Sequence, residues 1–457
     1  MKRGTKRTGN EEQSHTSRPL AQFLVSARLE EMPEALIHEA KRSILNGFAT
    51  AFAGCNDAVM ERLINTLSGF SGQPQASITG RKERFDILTA AFLNAVSTNV
   101  FDFDDTHTNT IIHPTAPVSA ALFALGEYQA LPGRRLLEAF ILGVEVECRL
   151  GNAISPGHYK RGWHITSTCG VFGAAAATGK ILGLDTKRMI WALGNASAQA
   201  SGLVETLGSM AKSVGVGNAA RNGLAAALMA SNGVEGPISP LEGERGFLKV
   251  TSESPSFPAV IENLGSTWEL SRNTYKPYPC GVVLNPVIEA CLEIANTPGF
   301  DASRVQSVTI SGHSLLHERA DRPMVKTGRE AQVSAQHAAA VCLLFKAASL
   351  AEFSDEAVNR KDVLWLREKI EVLVDETSMV GAAHVVAKCA NNIRLEATVK
   401  HARGDAERPL SDKDIEDKFR NLIVYGRSGL DPEPIIDAIW RLDQIEDVSE
   451  IMALARL

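Results

Sequence analysis

The sequence is poor in cysteine, and its cysteines form no pattern. An odd and scattered set without a CxxC pair argues against a disulfide framework and against a zinc knuckle. A reducing, cytoplasmic environment is therefore expected. The 7 cysteines among the 457 residues are Cys55, Cys148, Cys169, Cys280, Cys291, Cys342 and Cys389.

Long hydrophobic runs and an excess of basic residues are also lacking. No uncharged apolar run approaches the roughly 18–20 residues that cross a bilayer, so no membrane association is expected. The 47 basic and 53 acidic side chains give a net charge of -6. This balance does not favour nucleic acid as a partner, and an anionic ligand would need a local basic pocket. Residues 1–18 are basic and polar without an apolar stretch behind them, which predicts a disordered tail.

Most of the chain is typical of helices rich in alanine, leucine and glycine. Apolar residues recur at spacings of three and four, for example in Ile87–Val100, Arg135–Ile154 and Thr168–Leu182. Many of these helices are apolar nearly all round, which indicates burial inside a large bundle. We predict a mainly α fold, with a large all-helical domain formed by residues 19–270 and 403–457.

The pattern changes near Tyr275. Strand-like runs appear at Val305–Ser311, Lys369–Val374 and Asn392–Lys400, where β-branched residues alternate with polar ones. Helical segments lie among them, at Pro286–Ile294 and Ala331–Ala348. Residues 271–402 are therefore predicted to form a smaller α+β lid domain.

Asp102-Phe-Asp-Asp-Thr-His107, followed by His113-Pro114, is an unusual concentration of acids and imidazoles after an apolar helix. Such groups could position a substrate carboxylate beside a catalytic base, or bind a metal. A capped helix end with solvated acids is the plain alternative. Magnesium is disfavoured, because its sites usually use phosphate oxygens as well.

Three further segments each carry a single group of interest. His164 follows Gly162-Trp163 just before a helix rich in small residues, where backbone N–H groups favour anions. Lys212 is one of few cations in an apolar region, and Lys276 lies in the proline-rich Tyr275–Gly281 at the change of domain. Each could pair with a carboxylate, and each could equally be structural. The Gly215–Ala220 segment resembles a dinucleotide fingerprint, but no strand precedes it, so no dinucleotide is expected.

Taken in order, these segments resemble the MmgE/PrpD family over nearly the whole chain after the tail. The resemblance lies in Asp102–His113 with the following proline, Gly162–His164, the Lys212 segment, Leu241–Phe247, Tyr275–Gly281 and Asp321–Ala338.

The resemblance implies a homodimer with an active site between a helical domain and a lid, working without cofactor or metal. It also implies a small anionic di- or tricarboxylate as substrate and a reaction at the carbon next to a carboxylate. His113 would act as base or acid, oriented by Asp102, and Lys212 would hold a carboxylate. His164 would be a second proton donor or a hydrogen-bond partner of the substrate. The remaining residues carried over are Lys276 and Thr106 as substrate contacts, with Tyr159 from the same loop as His164 as a further candidate.

Gly215 and Asn285 stand where many family members carry histidine. Both differences remove acids that could protonate a leaving hydroxyl group. Because epimerisation needs no such acid, the sequence favours an epimerase of an amino-linked dicarboxylate such as iminodisuccinate. The alternatives are a hydro-lyase of the 2-methylcitrate dehydratase type, a lyase of the cis-aconitate decarboxylase type, a metal-dependent lyase and a binding protein without activity.

Overall fold

The computed structural model of the protein describes residues 15–379, 381–405 and 407–457. Most of the predicted tail, residues 1–14, lies outside the described residues. Ser17 and Arg18, which the sequence assigns to the tail, instead form the first turn of helix α1 (Ser17–Ser26). The reason is a tertiary contact, because the Ser17 N–H and hydroxyl both donate to the Glu242 carboxylate, at 3.1 and 2.5 Å.

The chain is largely helical, which confirms the predicted mainly α character. Asp185 caps one of the helices by accepting a hydrogen bond from the Arg188 N–H. After α1, the helices of the first part are α2 (Glu34–Gly54), α3 (Ala58–Leu67), α4 (Ile87–Asn99), α5 (Thr115–Gln129), α6 (Gly133–Ile154), α7 (Gly157–Lys160), α8 (Ile165–Ile181), α9 (Thr186–Ser197), α10 (Ala211–Ser231), α11 (Phe247–Thr251) and α12 (Phe257–Ile261).

Small residues allow the central helices to approach closely. A Cβ atom added to Gly143 on α6 would lie 2.8 Å from the Gly173 carbonyl oxygen on α8. A Cβ added to Gly223 on α10 would lie 2.6 Å from the Val171 carbonyl oxygen. Backbones this close leave no room for larger side chains, so α8 is buried between α6 and α10 along almost its whole length.

The later part of the chain adds a four-stranded sheet with the strand order β6-β5-β7-β8. Strands β5 and β6 are parallel, and the other two pairs are antiparallel. The sequence missed β7. The elements are α13 (Asn285–Ala295), β5 (Val305–Gly312), α14 (Ser314–Ala320), α15 (Gly328–Ala331), α16 (Ala335–Phe345), α17 (Asp355–Val358), α18 (Lys361–Arg367), β6 (Ile370–Val374), β7 (Ala383–Cys389) and β8 (Ile393–Val399).

The helix predicted over Ala331–Ala348 forms as α16 (Ala335–Phe345), and the short α15 ends at Ala331, where the prediction begins. Between them, the Ser334 side chain accepts a hydrogen bond from the His337 N–H and caps α16. The chain therefore turns at this point, and Gln332 lies in the turn.

The described residues form two hydrophobic cores. The first contains buried side chains from residues 20–275, Leu350, and residues 410–455, and the second contains those from residues 280–402. Helices α19 (Asp412–Tyr425), α20 (Glu433–Trp440) and α21 (Ser449–Leu454) belong to the first core. None of the helices in the described ranges has the length and apolar character needed to cross a membrane.

Two short strand pairs complete the described structure. Strand β1 (Ala76–Ser77) pairs with β2 (Arg84–Phe85), and β3 (Thr106–His107) pairs with β4 (Asn273–Thr274). The second pair joins the segment after α4 to the segment that enters the second core. It thereby brings the Asp102 and Lys276 regions together.

Candidate active site

The Asp102 carboxylate lies between two lysines from distant parts of the chain. Lys212, in the first turn of α10, places its Nζ 2.5 Å from Asp102 Oδ1. Lys276, which follows β4, places its Nζ 3.2 Å from Oδ2 and also donates to the Asp102 carbonyl oxygen at 2.8 Å. The lysine side chains are only 11% and 4% exposed. Both ammonium groups therefore contact the same carboxylate, and both lysine side chains are largely buried.

His113 lies beside this cluster and is bound through both ring nitrogens. Its Nδ1 is 2.8 Å from the Asp105 carbonyl oxygen and 3.3 Å from Asp104 Oδ1. A carbonyl oxygen can only accept, so Nδ1 carries a proton. Nε2 lies 3.3 Å from Asp102 Oδ1. Asp104 and Asp105 therefore contact one ring nitrogen of His113, and Asp102 contacts the other.

The three acids differ in pKa. Burial raises the pKa of Asp102, but Lys212 and Lys276 outweigh this and hold it well below the ordinary value. Asp104 is fully buried, which raises its pKa, but the His113 charge and hydrogen bond leave the pKa lowered overall. Burial raises the pKa of Asp105, against hydrogen bonds from Thr115 and Asn273 that lower it. Asp102 and Asp104 therefore lose their protons at lower pH than Asp105 does.

His164 is the N-cap residue of α8 and is buried. Its Nδ1 lies 2.7 Å from the Ser167 hydroxyl. Burial, with the nearby charges of Lys212 and His113, lowers the pKa of His164 to about 3. The ring is therefore neutral near pH 7, which favours the role of hydrogen-bond partner over that of a charged proton donor.

Gly215 explains how Ser167 reaches His164. A Cβ atom at Gly215 would lie 2.6 Å from the Ser167 hydroxyl oxygen. Gly202 is equally close, since its Cβ would meet the Ser167 Cβ at 2.5 Å, and its φ is +133°. Gly215 thus leaves room for the serine that contacts His164.

Thr106 and Tyr159 border the same region. The Thr106 hydroxyl is buried, and within the described residues it has no hydrogen-bond partner. Burial raises the pKa of the Tyr159 phenol on α7, which also interacts electrostatically with Lys212 and Asp102. Both hydroxyls are therefore protonated at neutral pH and can donate to an anion.

The ligand atoms of Asp102, Asp104 and His113 lie within 4.8 Å of one another, the spacing of a metal site. However, both oxygens of Asp102 already face an ammonium group. A divalent cation would have to bind against two positive charges, so the donor set fits a metal poorly. The expectation of a metal-free enzyme remains a prediction.

Three other histidines have local partners elsewhere. His107 is fully buried between the Thr110 hydroxyl and the Glu269 carboxylate. His313 caps α14, and His317 lies 3.2 Å from Asp321. None of these contacts involves the Asp102 cluster.

Several residues of the site region were missed by the sequence reasoning. Asp104 could have been chosen from the Asp-Phe-Asp-Asp run, but nothing in the pattern ranked it above its neighbours. Lys418 carried no signal, because it is one of many charges on an amphipathic helix. Its Nζ is buried and donates to the carbonyl oxygens of Phe103 and Lys276, at 2.7 and 3.0 Å.

Comparison with known proteins gives matches that cover most of the chain. Residues 18–259 match the model of the MmgE/PrpD N-terminal domain, and residues 278–442 match that of the MmgE/PrpD C-terminal domain. A cis-aconitate decarboxylase of Aspergillus terreus is 29% identical, covering 93% of this chain and 92% of the relative. The cis-aconitate decarboxylase of Homo sapiens is 27% identical, covering 93% and 91%. A cis-aconitate decarboxylase-like protein oryM of Aspergillus oryzae is 26% identical, covering 98% of both chains.

Proposed function

The chain belongs to the MmgE/PrpD family, and on that premise we propose that it is a lyase that removes carbon dioxide from an unsaturated tricarboxylate of the cis-aconitate type. The observation that supports this most directly is the placement of two ammonium groups and the His113 imidazole around one carboxylate. The relatives named above are cis-aconitate decarboxylases or a protein similar to them.

The proposed reaction needs only charge stabilisation and one proton. The carbon–carbon bond to the carboxylate on the saturated CH2 carbon breaks, and carbon dioxide leaves. The bonding pair forms a new double bond at that carbon, and the original double bond shifts its electrons toward the next carboxylate. This produces an enediolate, which is protonated on the α-carbon. The product is 2-methylenesuccinate, so atoms and charge balance without an oxidant or reductant.

The described residues match these demands. Lys212 and Lys276 would stabilise the oxygens on which negative charge develops, in surroundings with little water. Protonated at Nε2, His113 would deliver the proton to the α-carbon, and Asp104 behind it would stabilise the imidazolium. In the free protein Asp102 would balance the two ammonium charges and keep them in position. Neutral His164 and the Thr106 hydroxyl would donate hydrogen bonds to the remaining carboxylates.

The preference for an epimerase, drawn from the sequence, finds no support among the relatives. Gly215 and Asn285 still argue against loss of a hydroxyl group, but decarboxylation needs no leaving-group acid either. The lyase therefore accounts for these two positions as well as an epimerase would. A cytoplasmic homodimer remains part of the proposal, and sedimentation of the purified protein tests its subunit number.

The deciding experiment follows turnover by proton NMR in deuterated water, with cis-aconitate, iminodisuccinate and 2-methylcitrate as separate substrates. We expect 2-methylenesuccinate with one deuterium on its saturated CH2 carbon, together with one equivalent of carbon dioxide. The rates should be unchanged after chelation of metal ions. Inverted, α-deuterated iminodisuccinate would establish the epimerase, and loss of water from 2-methylcitrate the hydro-lyase. Thermal stabilisation by all three acids without turnover would indicate a binding protein.

A further inference from the structure

Four consecutive backbone carbonyls, those of Val100 to Phe103, each accept a hydrogen bond from a side chain far away in the sequence. We call this segment the pinned loop. It connects the end of α4 to the acids of the site. Its four contacts are Arg329 Nη1 to the Val100 oxygen at 3.1 Å, Gln332 Nε2 to Phe101 at 2.6 Å, Lys276 Nζ to Asp102 at 2.8 Å and Lys418 Nζ to Phe103 at 2.7 Å.

The pinned loop contains an unfavourable backbone conformation. Asp102 has a φ of +52°, in the left-handed region that residues with a Cβ rarely adopt. This conformation is energetically unfavourable and persists only where surrounding contacts enforce it. The four side-chain donors supply such contacts on Asp102 itself and on both sides of it.

Two of the donors come from the second core. Arg329 lies on α15, and Gln332 follows it in the turn before α16. Arg329 also forms an ion pair with Asp57 at 2.7 Å, and the Gln332 carbonyl accepts from the Gly281 N–H at 2.9 Å. Hydrogen bonds from the turn after α15 therefore hold both the pinned loop and the segment that follows Lys276. Both residues lie in Asp321–Ala338, a stretch without an assigned role in the proposed reaction.

Lys418, another of the four donors, lies on α19. Lys418 Nζ donates to the Asn46 side-chain oxygen at 2.8 Å, as well as to the Phe103 and Lys276 carbonyls. Three acceptors use all three N–H groups of an ammonium ion, whereas a neutral amine has only two. This buried group thus ties the loop that carries Asp102 directly to the segment that carries Lys276.

We propose that Arg329, Gln332 and Lys418 are positioning residues that hold the pinned loop, and with it the Asp102 carboxylate between its two lysines. They touch neither substrate nor reacting atoms. The effect expected on anion binding rests on the proposed function, whereas the effect on the loop itself does not. If these hydrogen bonds are lost, Asp102 relaxes toward ordinary backbone angles, and its carboxylate moves away from Lys212 and Lys276.

The test compares Gln332→Glu with the wild-type protein and with Lys413→Met, a change at a side chain on α19 that is 79% exposed. Glutamate keeps the size of glutamine but replaces the N–H donor with a charged acceptor facing the Phe101 carbonyl. We expect faster hydrogen exchange at the amides of residues 101–106, measured by mass spectrometry. We also expect at least a fivefold rise in KM and in the Kd of propane-1,2,3-tricarboxylate, measured by calorimetry.

The outcomes separate the two proposals. A merely structural role would lower the melting temperature and the active fraction, with KM, Kd and loop exchange unchanged, and that result would overturn the positioning role. If hydrogen exchange in the loop is faster in Gln332→Glu, but the wild-type protein neither binds the tricarboxylate nor turns over cis-aconitate, only the proposed function is rejected. If Gln332→Glu does not fold, Arg329→Met and Lys418→Met are measured in the same way, and normal exchange and binding in both would overturn the inference.

Discussion

The Lys212 ammonium nitrogen lies 2.5 Å from Oδ1 of Asp102, a residue 110 positions earlier in the chain. The same oxygen lies 3.3 Å from Nε2 of His113. A cation, an acid and an imidazole therefore meet at one atom. In the proposed reaction, this is where charge is stabilised and the proton is moved.

Replacing Lys212 with methionine should abolish most of the activity. The change keeps the length of the side chain but removes the charge that would stabilise the enediolate. Loss of a preorganised donor of this kind typically reduces kcat by about 100- to 1000-fold. Steady-state kinetics with cis-aconitate measure the effect, and Lys413→Met is the matched control. Turnover of Lys212→Met within threefold of wild type would contradict the assigned role.

His113→Asn should lower kcat by about 100- to 10,000-fold, the usual contribution of a positioned acid or base. KM should change much less, because the lysines that bind carboxylate remain. The rate of 2-methylenesuccinate formation, followed by NMR, gives both constants. His384→Asn alters a histidine on β7 whose side chain is 37% exposed, and it serves as the control. Equal rates for the two variants would remove His113 from the mechanism.

Gly215→Ala should reduce kcat/KM by roughly tenfold, an effect of about 1.4 kcal/mol. The new methyl group would force the Ser167 hydroxyl to rotate away from His164, since the present space is only 2.6 Å. Gly69→Ala, at a position with open space, is the control. In a Ser167→Ala background, the Gly215 change should have little further effect. Independent, additive losses would show that the glycine acts by another route.

The neutral state of His164 should appear in the pH dependence of stability. Its pKa is about 3 in the folded protein, against about 6.5 in an unfolded chain. Between these values only the unfolded state binds the proton, so the free energy of unfolding falls as the pH decreases from 6.5 toward 3. Relative to neutral pH, this costs about 2 kcal/mol at pH 5.

Denaturant unfolding of wild type and His164→Gln at pH 7 and pH 5 tests this directly. The wild type should lose about 2 kcal/mol more than the variant between the two values. Other buried histidines, such as His158 and His337, titrate in both proteins and cancel in the difference. Equal losses in the two proteins would mean that His164 is protonated normally in the folded state.

The sequence alone determined those features that depend on residues close together in the chain. The helix predicted at Ile87–Val100 forms as Ile87–Asn99. The run of acids after α4 pointed to the site, and the order of the motifs pointed to the family. These features could be predicted because helix periodicity, capping and motif spacing are local properties of the chain.

The tertiary structure alone decided which groups act together. Asp102 and Asp104 contact opposite nitrogens of the His113 ring, Ser334 starts α16 later than predicted, and Lys418 contacts Phe103, 315 positions before it. The positive φ of Asp102 is likewise enforced by side chains from other elements. No local pattern encodes these contacts, because they arise only when packing brings distant segments to hydrogen-bonding distance.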